Sequence, residues 1–343
     1  MMLTKRILLI SNYQKGVGGI NAQVDLLQLY LQQEGLQADI FSTKGNPLYR
    51  LWKVIRLLRC AERYDMLHIH ACSYWGMLPA VAGILAGKLW RKRIVITYHG
   101  GEAEGFLAKN VVWVRRWLMR ADEVVVLSGF LKEIFDRYAI PCVVIPNIVA
   151  LQPQQVRKRD IAPRFISIRH LEPLYNIPCI LRAYEQVVKI YPNATLNILG
   201  KGSMREELEQ HVADKRLTGV RFVGQVPNQQ IYDYLAQADI ILSAPRIDNM
   251  PVSLLEAMNA GLLVISSRVG GVPYMIEGLE TRGVKTTGLL FESDNADELA
   301  EKILWALEHP KEVQTIIKNA QADVQKYVWE NVKQELMKIY ECV

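Results

Sequence analysis

Two carboxylates around a proline set out the richest chemistry in the sequence. In SAPRIDNMPVSLLEAMNAG, Ser243 to Gly261, Asp248 precedes Pro251 and Glu256 follows Asp248 by eight residues. Proline suits a helix start, where unpaired backbone N–H groups attract anions such as diphosphate oxygens. Eight residues make about two helical turns, so one acid sits at the turn and the other on the helix wall. There they can address different parts of one ligand. The plainer alternative makes Asp248 a helix cap and Glu256 a surface residue. The apolar setting SLLEAM weighs against it.

Three further loops carry candidate groups. The glycine turn KGVGGI, Lys15 to Ile20, follows an apolar run and opens a helix. Its glycines permit close backbone approach to an anion, although an ordinary tight connection has the same sequence. His99 closes RIVITYH before Gly100, Gly101 and Glu102, which places its imidazole at the carboxyl edge of a strand. Arg169, in SIRHLEPLYNIP, brings a permanent charge to the end of another strand, with a surface pair to Glu172 as the competing role. His68 and His70, two apart in LHIH, share one strand face. A buried structural role suits them better than a metal site without a third ligand. No Asp-x-Asp pair occurs, and Cys60, Cys72, Cys142, Cys179 and Cys342 form no C-x-x-C. No metal and no disulfide framework are expected.

The elements that must position these groups alternate regularly. RILLIS, QADIFS, DMLHIHA, RIVITYH, EVVVLS and CVVIP read as strands separated by helix-period segments; RFISI, TLNILG, VRFVG, DIILSA, LLVISS and TGLLF form a second series. That alternation predicts α/β architecture with two parallel sheets. The polar stretch 152–160 reads as a linker between domains 1–151 and 161–325. Residues 326–343 form a C-terminal helix expected to pack back on the first domain. Ligands of open α/β sheets bind at the carboxyl ends of strands, so the chemistry is sought in a cleft between two Rossmann-like domains.

With 343 residues, half of them apolar, the chain is large enough for two cores. No run approaches the roughly 18 uninterrupted apolar residues of a membrane span. The start MMLTKRILLIS lacks a small-residue cleavage site, so a soluble cytoplasmic chain is expected. The net charge of +6 is uneven: residues 1–150 carry 19 Lys and Arg against 11 Asp and Glu, and the rest carry 22 against 24. A basic first half suits acidic partners or is simply a solvated face.

The segment DNMPVSLLEAMNAGLLVISSRVGGVP resembles the E-x7-E region of family 4 retaining glycosyltransferases, with Asp248 where most members have the first glutamate. The likeness runs through the glycine turn, Y-H-G at His99, ADEVVVLS, IPN, LGKGSMREEL and VRFVGQVP. It implies the GT-B fold, two Rossmann-like domains with a cleft between them. It also implies transfer of a hexosyl group from a nucleotide diphosphate sugar with retention and without a metal or cofactor. By resemblance, His99 and Asp248 are the catalytic positions. Gly18, Gly19, Arg169, Val226, Asn249, Met250, Pro251, Val252 and Glu256 bind the donor. The family's arginine and lysine clamp is replaced by His170 and Tyr175, leaving Arg169 as the nearby cation, and GG-x-P-E reads GGVPY.

The acceptor expected is a saccharide or lipid-linked sugar in bacterial surface polysaccharide or glycolipid synthesis, and no nucleic acid is expected. A non-catalytic sugar-nucleotide-binding protein and a nucleotide-sugar epimerase are the alternatives. Contact with an anionic membrane, on its inner face, is suggested by two stretches. In LYRLWKVIRLLRC, Leu51, Ile55 and Leu58 share a helix face opposite Lys53, Arg56 and Arg59; in WVRRWLMR, Trp113 and Trp117 adjoin Arg115, Arg116 and Arg120. The ordinary alternative buries the apolar face in the core.

Overall fold

The structure, a computed structural model, describes residues 5–15, 19–151, 160–276 and 285–341. The chain divides into two compact units: Met1–Ala150 with Tyr327–Val343, and Leu151–Lys326. Leu151 and Lys326 thus fall in the second unit rather than with the first domain and the C-terminal helix. The linker expected over 152–160 lies, except for Asp160, outside the described residues.

All twelve β-branched runs contain strands. In the first unit these are β1 (Arg6–Ser11), β2 (Gln37–Ser42), β3 (Met66–Ala71), β4 (Arg93–Tyr98), β5 (Glu123–Val126) and β6 (Val143–Val144). They pair in the order β2-β1-β3-β4-β5-β6, every pair parallel. CVVIP contributes only two exposed residues, because β6 is an edge strand with one neighbour. The central strands are apolar on both faces, as a sheet covered by helices requires. Leu8 and Ile10 enter one core, Ile7 and Leu9 the other, at the strand period of two.

The second core is closed by the helix Trp329–Glu341, whose Trp329, Val332, Leu336, Ile339 and Tyr340 pack against Leu9, Val24 and Val95. The Trp329 ring stacks on Tyr30 at 5.1 Å, and its indole N–H donates to Glu34 at 2.9 Å, where Lys333 also binds. Each such apolar side chain contributes about 1.5–3 kcal/mol on burial, before ordering entropy. The C-terminal helix is therefore integral to the first unit.

The second unit contains β7 (Arg164–Ile168), β8 (Thr195–Leu199), β9 (Val220–Gly224), β10 (Ile240–Ser243), β11 (Leu263–Ser267) and β12 (Leu289–Phe291). Their spatial order is β12-β11-β10-β7-β8-β9, again all parallel. Counted within the unit, that is the 3-2-1-4-5-6 order of the Rossmann fold. Its direction of winding reverses between β7 and β10, and the crevice at such a reversal is where ligands enter. In the first unit the reversal lies between β1 and β3.

Two helices of the first unit bury one set of apolar residues in the core and leave others exposed. In Pro47–Cys60, Leu57 is fully buried and Leu58 half-buried, but Leu48, Leu51, Trp52 and Ile55 are exposed. In Ala103–Leu118, Val112 and Trp113 are exposed, whereas Trp117 packs against the core. Among the described residues, no helix is long and apolar enough to cross a membrane.

Candidate active site

In the second unit, the turn after β7 and the turn after β10 meet because these strands are hydrogen-bonded neighbours. Arg169 leaves β7 and reaches across. Its Nη1 lies 3.0 Å from Asp248 Oδ2, and its Nε and Nη2 each donate to Ser243 Oγ at 3.2 Å. The guanidinium carbon stands 5.6 Å from the Tyr175 ring centroid. Both charged side chains are largely buried, at 10% and 18% exposure. In such a setting the ion pair is stronger than at the surface, and removing one member leaves a costly lone charge. The alternative surface pair of Arg169 with Glu172 is not formed. Glu172 instead accepts from the Ser203 amide at 2.9 Å and its hydroxyl at 2.6 Å, which hold its carboxyl below the usual range.

Asp248 does not cap the helix. Its Oδ1 accepts from the adjacent Asn249 N–H at 2.8 Å, and the helix begins only at Val252, after Pro251 in extended conformation. The Asp248 carbonyl accepts from Gly271 N–H at 3.1 Å, and a Cβ on Gly271 would lie 2.0 Å from the Asn249 carbonyl oxygen. Gly271 of RVGGVP must therefore lack a side chain for this segment to pack against the acidic turn. Asn249, Met250 and Pro251 are buried and shape the turn, while Val252 is half-buried at the helix start. Arg246 binds the two turns together. It donates from its backbone N–H to the Leu174 carbonyl and from Nη1 to the Pro173 carbonyl, both at 2.9 Å, and forks onto Asp294.

Glu256 lies on the helix Val252–Asn259, half-buried rather than on an open surface. Burial pushes its carboxyl up to about 7. Ser253, three residues earlier and so on the same helical side, has a buried hydroxyl without a hydrogen-bond partner. Sequence reasoning passed over Ser253, although its place between Asp248 and Glu256 was a usable signal. It also passed over Ser243, whose role depends on an arginine from another strand. Val226, in the turn after β9, is half-buried on the edge of this sheet. His170 is exposed, its ring 6.1 Å from that of Tyr175.

In the first unit, His99 follows β4 and is half-buried, with its backbone N–H on the Ala71 carbonyl at 2.8 Å. Its Nε2 lies 2.9 Å from His70 Nδ1. Burial, and secondarily the neighbouring His70, holds the His99 imidazole well below the usual histidine range, so the ring is neutral near pH 7. Gly19 has φ 68°, a left-handed conformation that favours glycine, and precedes the helix Ile20–Gln33. Gly18 lies outside the described residues. His68 and His70 are buried, as expected, yet only His68 has both ring nitrogens engaged.

The two parallel Rossmann-like sheets are the GT-B arrangement of glycosyltransferases. Solved structures with this fold include HepE of Anabaena in complex with UDP and glucose, with TM-score 0.80 and 20% identity over 99% of this chain and 100% of that one. A sucrose-phosphate synthase of Thermosynechococcus elongatus matches with TM-score 0.81 and 19% identity over 98% of each chain. Residues 150–323 match the family described as Glycosyl transferases group 1, and residues 37–152 match Glycosyltransferase Family 4. The first match covers more than half of the chain, and the chain belongs to the group 1 glycosyl transferases. The phosphatidylinositol N-acetylglucosaminyltransferase GPI3 subunit of Saccharomyces cerevisiae is 24% identical over 255 residues, 68% of this chain and 55% of that protein. The chain thus spans about half the length of the first curated relatives it matches.

Proposed function

We propose that this chain is a retaining, metal-independent glycosyltransferase that moves a hexosyl group from a nucleotide diphosphate sugar to a saccharide or lipid-linked acceptor. The observation that carries the reading is the cluster at the sheet reversal of the second unit. Arg169, Asp248 and Ser243 surround one turn, a helix N-terminus follows it, and Glu256 stands about one helical turn into that helix. Unpaired helix amides and a guanidinium stabilise negative charge growing on a leaving diphosphate, which is where such a reaction needs help. Glu256 accepts from the ribose hydroxyls, and Asp248 orients the donor sugar. Asn249, Met250, Pro251 and Val252 form the turn around the phosphates, which backbone N–H groups at the start of the helix hold. Gly18, Gly19 and Val226 border the donor, and His99 contacts the transferred sugar.

No protein nucleophile is assigned. The leaving phosphate assists removal of the acceptor's proton, and retention follows from attack on the face the leaving group departs. The likeness to HepE, solved in complex with UDP and glucose, and to a phosphatidylinositol N-acetylglucosaminyltransferase subunit supports a nucleotide donor and a lipid-linked acceptor. We place the chain in bacterial surface polysaccharide or glycolipid synthesis, in the cytoplasm and peripheral to the inner face of the membrane. The outward-turned Leu51, Trp52 and Ile55 beside basic residues support that location.

The test is incubation with UDP-, GDP- and ADP-sugars and candidate acceptors. Release of nucleoside diphosphate, with an α-linked product from an α-linked donor, supports the reading. An epimerised sugar nucleotide selects the epimerase. Tight binding without turnover selects a non-catalytic protein, the outcome favoured if the engagement of Arg169 by Asp248 leaves too little charge for the diphosphate.

A further inference from the structure

Three histidines stand side by side in the first unit: His68 and His70 on β3, and His99 beyond β4. The His68 and His70 ring centroids are 4.7 Å apart, and those of His70 and His99 are 5.2 Å apart. Their hydrogen bonding is not alike. His68 is closed on both sides, Nδ1 on the Tyr340 hydroxyl and Nε2 on Thr97 Oγ1 at 2.8 Å. It is a fixed wall, held by the C-terminal helix. His70 is 5% exposed; its Nδ1 meets His99 Nε2 at 2.9 Å, and its Nε2 is buried without a hydrogen-bond partner. The three histidines, with Gln23, Thr97 and Asn147 among others, line a cavity of about 40 Å³.

We propose that His70 is a positioning residue that fixes the ring plane and the tautomer of His99. The inference rests on the reading of His99 as the sugar contact. Both rings are neutral near pH 7, because burial disfavours their charged forms. One proton must lie between His70 Nδ1 and His99 Nε2. If His99 supplied it, the His70 proton would sit on Nε2, a buried N–H that no protein acceptor meets, and buried donors left unpaired are rarer in proteins than buried acceptors left unpaired. With His70 supplying it, Nδ1–H donates to His99 Nε2, and His99 carries its own proton on Nδ1. Stacking against His68 prevents His70 from swinging away, so the bond sets His99 rather than following it. His99 is thereby a hydrogen-bond donor through Nδ1 and engages an oxygen of the sugar.

The test uses the full chain with ¹⁵N-labelled histidine. Two-bond proton–nitrogen correlations report the tautomer of each ring, and His99→Asn assigns the His99 signals. In the wild type His99 is expected as the Nδ1–H tautomer. In His70→Leu it becomes a mixture, and kcat falls about tenfold to a hundredfold, the cost of losing orientation, with donor KM little changed. His70→Asn places an amide N–H where Nδ1 stood and restores both; His70→Gln reaches the Nε2 position and restores neither. If His70→Leu does not fold, the contrast between Asn and Gln decides. An Nε2–H tautomer of His99 in the wild type, or a tautomer unchanged by His70→Leu, overturns the proposal. Full turnover in His99→Ala removes the sugar-contact reading by itself, while the spectra still decide what His70 does.

Discussion

Arg169 is engaged by Asp248 at 3.0 Å, and this buried pair joins the two turns at the reversal point of the second sheet. The cation nearest the proposed diphosphate is thus held by the acid proposed for the donor sugar. An incoming diphosphate competes with Asp248 for the guanidinium or shares it. Arginine is suited to sharing, since its planar fork has five donors and three of its N–H directions already serve Ser243 and Asp248.

Arg169→Ala is expected to weaken binding of the preferred nucleotide sugar or nucleoside diphosphate by at least about tenfold to a hundredfold, the range of a lost charge-assisted hydrogen bond of roughly 1.5–3 kcal/mol. Arg169→Lys conserves charge but loses the fork, and it falls between the two. Tyr175→Lys, beside the guanidinium, is tolerated and partly restores the alanine variant. Titration calorimetry measures all three; unchanged affinity in Arg169→Ala removes the clamp and raises the non-catalytic reading.

Asp248→Ala and Glu256→Ala each lower turnover about tenfold to a hundredfold with the fold retained. The pairing adds a sharper expectation for Asp248. Because it shares a buried ion pair with Arg169, the double variant Arg169→Ala, Asp248→Ala is less destabilised than the sum of the singles, each of which strands one charge. Urea unfolding of the four proteins closes the cycle. Additive losses would mean that the pair has no coupling in solution.

Glu256 offers a dependence on pH. Its folded value of about 7 lies above the ordinary 4.5, so the folded chain holds the proton more tightly than the unfolded one. The stability this provides is complete below about 4.5 and is lost as pH rises to about 7. Glu256→Gln is always neutral. Its melting temperature is expected to exceed that of the wild type at pH 8, by an effect on the order of 2–3 kcal/mol, with the gap closing toward pH 4.5. Nucleoside diphosphate affinity falls in the same variant, since the amide replaces one of the two carboxylate oxygens facing the ribose hydroxyls with a donor NH2. A pH-independent gap in melting temperature would falsify the buried-carboxyl assignment.

Much of this was legible in the sequence, and the limits have physical causes. The twelve strands announce themselves because a sheet buried on both faces needs runs such as RIVITY and LVISS. The pair Arg169–Asp248 does not, because it depends on β7 lying beside β10, a choice of topology that no local spacing encodes. The same holds for His70 and His99: spacing put His70 with His68 and set both aside as structural, whereas neighbouring strands give His70 a second partner. Helical periodicity in Pro47–Cys60 showed an apolar face but not which way it turns, and the anchor proved to be Leu57 rather than Leu51 or Ile55.

The outward turn of this helix is expected to give peripheral binding to anionic membranes through the first unit. Leu48, Leu51, Trp52 and Ile55 are 83%, 61%, 50% and 44% exposed on one helix. They sit among Lys53, which lies over the Tyr49 ring, and Arg56, which lies over Trp52. Exposed aromatic and aliphatic groups enter the headgroup region, and basic side chains meet its charge at about 1 kcal/mol each. Because screening weakens the charged part but not the apolar part, the two contributions are separable. Binding to vesicles containing phosphatidylglycerol is expected to exceed binding to pure phosphatidylcholine vesicles by about tenfold or more at low salt, and to fall as salt rises. The substitutions Arg56→Glu and Arg59→Glu remove the salt-sensitive part. Leu51→Ser with Ile55→Ser lowers what remains at high salt, and neither pair alters turnover of a soluble acceptor. Vesicle sedimentation across a salt series reads each term, and an absence of salt-sensitive binding to the anionic vesicles defeats the assignment.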